Sequence, residues 1–108
     1  MAAPANFVFI YVTCPTLTIA KKIANQLVED RRVACANILP EMQSIYRWEG
    51  RLHLDREVVL ILKTRKSLFG AVERAIKKMH PYKVPCIVAL PLVRGERGYL
   101  KWLKAETT

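Results

Sequence analysis

The chain of 108 residues is long enough for one domain and too short for two. Its hydrophobic fraction of 52% supplies material for a core, and no run of about 18 apolar residues predicts a membrane span. The net charge of +9 would suit a nucleic-acid partner, but the basic residues are dispersed in ones and twos, which favours a solvated surface. We therefore expect a single domain over residues 1–108.

The cysteines indicate the cellular compartment. Cys14, Cys35 and Cys86 make an odd count without a CxxC spacing, which suits neither a disulfide framework nor a structural zinc site. Residues 1–6 also lack the basic region and apolar stretch of a signal peptide. We therefore expect a cytoplasmic protein.

The first elements are a strand and a helix. Residues 7–13 read FVFIYVT, an apolar run typical of a central strand. Thr16 or Thr18 can cap the helix that follows. The apolar positions from Ile19 to Val28 recur at helical spacing, which predicts an amphipathic helix over one face of a sheet.

A long hairpin follows. Residues 34–48 form an extended stretch, in which Pro40 predicts an edge position or a bulge. Gly50 suits the left-handed position of a type I turn with a G1 bulge. The return strand covers residues 52–64 and contains the apolar run VVLIL.

The remaining elements complete a known order. Ser67 is the expected cap of a second helix, which ends at His80 because Pro81 disfavours helical geometry in the residue before it. Residues 86–93 predict a last main strand, and a short amphipathic helix closes the chain. The fold class is therefore α+β, a ferredoxin-like βαββαβ sandwich with a long central hairpin and a C-terminal helix.

The hairpin predicts a partner. A strand over residues 35–48 extends roughly 46 Å at about 3.3 Å per residue, whereas a globule of this size has a diameter of about 34 Å. An apolar tip that overhangs its own core is an aggregation hazard unless sister copies cover it. The alternative is a hairpin that bends back at Pro40. The expected interface comprises Ile45, Tyr46, Trp48, Leu52 and Trp102.

Several blocks of the sequence carry a family resemblance. They occur in the family's order, span nearly the whole chain, and resemble the CutA family of divalent-cation tolerance proteins. The blocks are ACAN at 34–37, SIYRWEG at 44–50, Glu57 with ILKT at 61–64, HPYKVP at 80–85 and YLKWL at 99–103.

The resemblance implies a homotrimer, similar in plan to the PII signalling proteins, and a link to copper and other divalent cations without a defined reaction. Soft sulfur and imidazole ligands suit copper, which makes His80 and Cys14 the candidate ligands. Bacterial members often carry a cysteine where this chain has Val12, and Cys14 lies two residues later on the same strand face. Alternatively, Cys14 is a small buried hydrophobe, as we expect for Cys35 or Cys86.

A second set of polar residues predicts a cleft between subunits, formed by Cys35, Glu57, Lys63 and Tyr82. A carboxylate that enters a sheet needs a partner, so we expect Glu57 to pair with Lys63 or with a neighbouring subunit's residue. This cleft is either an interface salt bridge or, in the PII-like alternative, a pocket for a small anion or metabolite.

Two other function classes fit less well. An RNA-binding module shares the βαββαβ order, but its third strand carries aromatic side chains, and residues 56–63 have none. We therefore interpret Phe7, Phe9 and Tyr11 as core. Acylphosphatases share the topology too, but residues 14–17 lack their phosphate-binding arginine, and no Gly-rich loop appears. We do not expect an enzyme.

Overall fold

The computed structural model describes residues 6–108. The sequence prediction about a signal peptide concerns residues 1–6, of which residues 1–5 lie outside the described part. The strands and helices occur in the order predicted, and the fold class is confirmed. The elements are β1 (Phe7–Cys14), α1 (Leu17–Glu29), β2 (Cys35–Trp48), β3 (Arg51–Arg65), α2 (Phe69–Met79), β4 (Ile87–Pro91) and α3 (Arg97–Ala105).

The strands form one antiparallel sheet in the order β2-β3-β1-β4. Strand alternation gives the sheet two different faces. On one face Ile10, Leu60 and Leu62 are fully buried beneath α1 and α2, which contribute Ile23 and Ile76 to the same core cluster. The hydrophobic effect stabilises the packing of the two helices on this face, since each of these side chains is removed from water.

The opposite face of the sheet is not covered by α1 or α2. Leu39, Val88 and Leu90 point to this side by strand alternation and remain about half exposed. One end of this face is covered, where Leu103 of α3 packs against Phe7 and Ala34 in a second small cluster. Apolar side chains of the two edge strands, β2 and β4, therefore remain accessible on this face.

The hairpin is as long as the sequence predicted. The molecule extends 47 × 26 × 22 Å, so its longest dimension is nearly twice the next. The register of β2 against β3 shifts between Leu39 and Met42, which confirms the irregularity expected at Pro40. Proline cannot donate to the ladder, and a bulge accommodates this loss.

The turn differs from the prediction. Trp48 pairs directly with Arg51, which leaves a loop of only Glu49 and Gly50. Both have positive φ, 51° and 76° respectively. Positive φ at both central residues is typical of a type I′ turn and not of a type I turn with a G1 bulge. The type I′ turn prevails because its twist matches that of the flanking strands.

The start of the second helix also differs. Ser67 lies inside a short 3₁₀ helix, Lys66–Leu68, and no side chain caps either this element or α2. Ser67 therefore is not the N-cap, because helical geometry already begins one residue before it. The predicted end is correct, since α2 ends at Met79 with His80 as its C-cap.

None of the helices within residues 6–108 has both the length and the apolar character needed to cross a membrane.

Candidate functional site

A cavity of about 680 Å³ lies between the hairpin tip and the segment 81–86. Its base is the sheet face opposite α1 and α2, to which Tyr11 and Thr13 of β1 and Glu57 of β3 contribute. Its walls include Tyr46 and Trp48 from the hairpin, and Tyr82, Lys83 and Cys86 from the segment that precedes β4. Predicted interface residues and predicted cleft residues thus line the same space.

Glu57 and Tyr82 are brought together in this cavity. The Tyr82 hydroxyl donates a hydrogen bond to Glu57 Oε2 over 3.0 Å. Glu57 is only 7% exposed, so its carboxylate relies on this donor. Burial, together with the bond to Glu57, raises the pKa of Tyr82 above its ordinary value. The hydroxyl therefore keeps its proton and can donate.

The expected pairing of Glu57 with Lys63 does not occur within the chain. The two residues lie on the same face of β3 but are six positions apart, or about 20 Å along a strand. In residues 6–108 the ion pair present is Arg31 with Glu106, 3.9 Å apart. Glu57 is satisfied by a neutral phenol instead.

His80 uses both of its ring nitrogens within the protein. Nε2 lies 2.7 Å from the carbonyl oxygen of Thr13, and the amide of Tyr82 donates to Nδ1 over 3.1 Å. Because Nδ1 accepts, the ring proton is assigned to Nε2, which donates to Thr13. His80 is buried and thereby ties the end of α2 to the end of β1.

Cys14 is fully buried in the core cluster beneath the helices. Burial and the nearby charge of Glu57 raise the pKa of its thiol from 9.0 to about 11. A protonated, buried thiol is a poor metal ligand, because binding requires the thiolate. Its chain neighbour Thr13 contacts His80, but residues 6–108 contain no group of three or more His, Cys, Asp or Glu placed to hold a metal ion.

Cys35 and Lys63 form a separate cluster. They lie opposite each other on β2 and β3, and Cys35 Sγ is 3.7 Å from the hydroxyl of Tyr99 on α3. The Lys63 ammonium lies 5.2 Å from the ring centre of Phe9 and 5.6 Å from that of Tyr99. None of these residues lines the cavity, so the structure divides the four predicted cleft residues into two pairs.

The predicted interface residues are exposed. Ile45 and Leu52 are each 70% exposed at the hairpin tip, and Trp48 is 43% exposed. Trp102 on α3 is 40% exposed and packs its ring against Tyr99. Tyr46 is anchored within the hairpin, where its hydroxyl donates to Asp55 and its ring stacks on His53.

Two sequence interpretations need correction. Cys86 is exposed and lines the cavity, and Cys35 is only half-buried, so neither is a core packing residue. Of the aromatic residues on β1, Phe7 is buried, but Tyr11 lines the cavity and donates to Met42 Sδ over 3.5 Å. The sequence did contain a signal for the position of Tyr11. Phe7, Phe9 and Tyr11 occupy alternate positions of β1, which places all three on the sheet face opposite α1 and α2.

A family model described as CutA1 divalent ion tolerance protein matches residues 8–106 of this chain. The chain is 45% identical over 98 residues to the divalent-cation tolerance protein CutA of Thermus thermophilus, covering 91% of this chain and 95% of that protein. A solved Thermus thermophilus structure of this kind superposes with a TM-score of 0.92 at 43% identity, over 94% of this chain and 99% of that one.

A plant relative has a longer chain. The chloroplastic protein CutA of Arabidopsis thaliana is 42% identical over 100 residues, which cover 93% of this chain. The match spans about half of that relative, 55% of its length.

Proposed function

This chain belongs to the CutA1 divalent ion tolerance family, and we propose that it works as a homotrimer that binds copper or another divalent cation without catalysing a reaction. The observation that carries the proposal is the apolar hairpin tip, where Ile45 and Leu52 are each 70% exposed. Burying such side chains is favourable by about 1.5–3 kcal/mol each. Closed association of like subunits achieves this burial without leaving further edges.

The sheet face opposite α1 and α2 supports the same proposal. Leu39, Val88 and Leu90 are about half exposed on the face that α1 and α2 leave free. A tip that reaches beyond its own core can lie on the equivalent face of a neighbour. The cavity beside Tyr46 and Trp48 would then be closed by a second copy, and the four cleft residues would be distributed around a subunit boundary.

The assembly is tested by sedimentation equilibrium at micromolar concentration. The parent should have three times the 12.4 kDa subunit mass, and Tyr46→Ala with Trp48→Ala should lower that mass. Leu17→Ala with Val28→Ala is the matched control, because these exposed apolar residues lie on α1, away from the hairpin. A parent that stays at the mass of a single subunit would refute the assembly.

Cation binding requires a change in the residues proposed as ligands. His80 must release either Thr13 or Tyr82 before a ring nitrogen can bind a metal, and Cys14 must lose its proton. One subunit therefore does not offer a preformed site. Copper binding is proposed to involve His80 and Cys14 after such a rearrangement, with ligands from a neighbouring subunit completing the set.

Metal binding is tested by anaerobic titration with copper(I) against a competing chelator. His80→Ala should weaken binding, whereas His53→Ala removes an imidazole from the hairpin and should not. Cys14→Ala and Cys86→Ala form a second matched pair of thiol variants. Equal affinity in the parent and His80→Ala removes His80 from the proposal.

A second candidate function is binding of a small metabolite in the cavity. Its volume of about 680 Å³ falls in the range of small-molecule sites, and it combines apolar walls with Glu57, Tyr82 and Lys83 as polar groups. Thermal-shift measurements with a panel of nucleotides and carboxylates, repeated with Lys83→Gln, test this candidate. A ligand that stabilises both proteins equally does not bind through Lys83.

The cytoplasmic location expected from the cysteines also remains a proposal. Cys14, Cys35 and Cys86 are all free thiols, which suits a reducing compartment. Fractionation of cells that express the untagged protein tests it.

A further inference from the structure

A second cavity, of about 510 Å³, has an entirely different lining. It lies where β1 begins and β3 ends, and α3 forms its third side. Arg65, Lys66 and Lys104 contribute positive charge, while Asn6, Phe7 and Ser67 complete the lining. No residue is shared with the cavity beside the hairpin. Among the described residues, the lining contains no acidic side chain.

The three cations are not neutralised by the protein. None of them forms an ion pair within 4.0 Å in residues 6–108, where Arg31 pairs with Glu106. Asp and Glu are also absent from the first turn of α2, which begins beside the cavity. Like charges that share a concavity repel one another, and this repulsion is relieved when an anion enters.

One of the cations is held in place. Arg65 Nε donates to Thr107 Oγ1 over 2.8 Å, and an Nη2 hydrogen is donated to the Thr107 carbonyl. Thr107 is itself buried, and its hydroxyl donates to the Leu103 carbonyl over 2.9 Å. The guanidinium is therefore fixed before any ligand arrives, which reduces the entropy lost on binding.

We propose that this basic cavity binds the phosphate group of a small phosphorylated molecule. The donor set matches the chemistry of a phosphate, whose oxygens accept hydrogen bonds from several directions. Arg65 supplies a guanidinium held by Thr107, Lys66 and Lys104 supply exposed ammonium groups, and the Ser67 hydroxyl and Asn6 amide can donate as well. None of these lining residues is among those proposed for the trimer interface or for cation binding.

The test is isothermal titration with inorganic phosphate, pyrophosphate and a phosphomonoester at low ionic strength. Lys66→Gln with Lys104→Gln should weaken binding by about tenfold or more. Lys77→Gln with Lys78→Gln is the matched control, because it removes the same charge from exposed positions at the end of α2. This control should change the affinity by less than about threefold.

Three results would overturn the proposed phosphate site. Equal weakening in both double variants would show a general effect of net charge and would overturn the site, as would the absence of binding by the parent to all three probes. A single-stranded oligonucleotide is titrated in parallel. If only the oligonucleotide binds, the cavity is not a site for small phosphorylated molecules. Tighter binding of the phosphomonoester than of inorganic phosphate supports an organic ligand.

Discussion

The Tyr82 hydroxyl and the Glu57 carboxylate are joined by a hydrogen bond of 3.0 Å at the base of the larger cavity. This bond links the segment after α2 to β3, two parts of the chain separated by 25 residues. It is the hydrogen bond that the Glu57 side chain makes within residues 6–108. The bond therefore helps to determine the shape of the cavity.

We expect Tyr82→Phe to lower the free energy of unfolding by about 1–3 kcal/mol, because it leaves a buried carboxylate without its donor. Urea unfolding at fixed protein concentration measures the change. Tyr46→Phe is the matched control, since it removes a hydrogen bond to Asp55 at an exposed position. We expect a much smaller effect, because water can replace the phenol at the exposed Asp55 carboxylate. Equal effects would mean that Glu57 finds another partner.

Cys14 gives a prediction about pH. Its folded pKa of about 11 exceeds the unfolded value of 9.0, so above pH 9 the unfolded chain loses the proton first. Stability linked to this thiol is fully present below pH 9 and is lost as the pH rises through 11. Unfolding measured from pH 8 to pH 11 should show a smaller decline in Cys14→Ala than in the parent. Identical pH profiles would contradict the linkage.

The N-terminus of α1 tests a single capping bond. Thr16 Oγ1 accepts a hydrogen bond from the Ile19 amide over 3.2 Å. Thr16→Ala should cost about 1 kcal/mol of stability. Thr18→Ala, inside the same helix, should have almost no effect or a slight stabilising one, because alanine has the higher helix propensity. The two midpoints in chemical denaturation should therefore separate, and a larger loss for Thr18→Ala would reverse the assignment of the cap.

The hairpin turn predicts a stabilising substitution. Glu49 has a φ of 51°, a conformation that most side chains disfavour and asparagine tolerates. Glu49→Asn should raise the free energy of unfolding by about 0.5–1 kcal/mol. Gly50→Ala should lower it by about 1 kcal/mol, since alanine is strained at a φ of 76°. A destabilised Glu49→Asn variant would argue against the type I′ turn.

One fully buried side chain contributes to the contact of α3 with the sheet. Leu103 is fully buried against Phe7 and Ala34, so Leu103→Ala should cost about 2–5 kcal/mol. Hydrogen exchange should increase across α3 before the rest of the molecule. Lys101→Ala, on the exposed side of the same helix, is the control. Unchanged protection of α3 in Leu103→Ala would show that two other hydrogen bonds are sufficient: the Arg31 guanidinium donates to the Ala105 carbonyl, and the Thr108 amide donates to the Arg31 carbonyl.

Much of the fold was predictable because it depends on short-range patterns. The helical spacing from Ile19 to Val28, a cap at Thr16 or Thr18 and the irregularity at Pro40 are all local consequences of residue type. The two local predictions that were wrong, the Ser67 cap and the turn at Gly50, differ from the structure by one residue or by the sign of one φ angle. The conformation of the adjoining helix or strands determines such details.

The candidate site was predictable only in part. Glu57, Tyr82, Cys35 and Lys63 could be selected from the sequence by residue type, and their role in binding a ligand stays a prediction. Their grouping could not be predicted, since Glu57 lies with Tyr82 whereas Cys35 and Lys63 lie with Tyr99. The separation of Glu57 from Lys63 follows from the rise per residue along a strand, which places residues six positions apart about 20 Å from each other.

The amino-acid sequence alone determined the order of the elements, the length of the hairpin and the apolar character of its tip, because periodicity and strand rise act over a few residues. Only the tertiary structure decided that Tyr82 meets Glu57, that Tyr99 meets Cys35 across 64 residues of chain, and that Arg65, Lys66 and Lys104 share a cavity. Such meetings depend on how whole elements pack, and no local property of the chain encodes that packing.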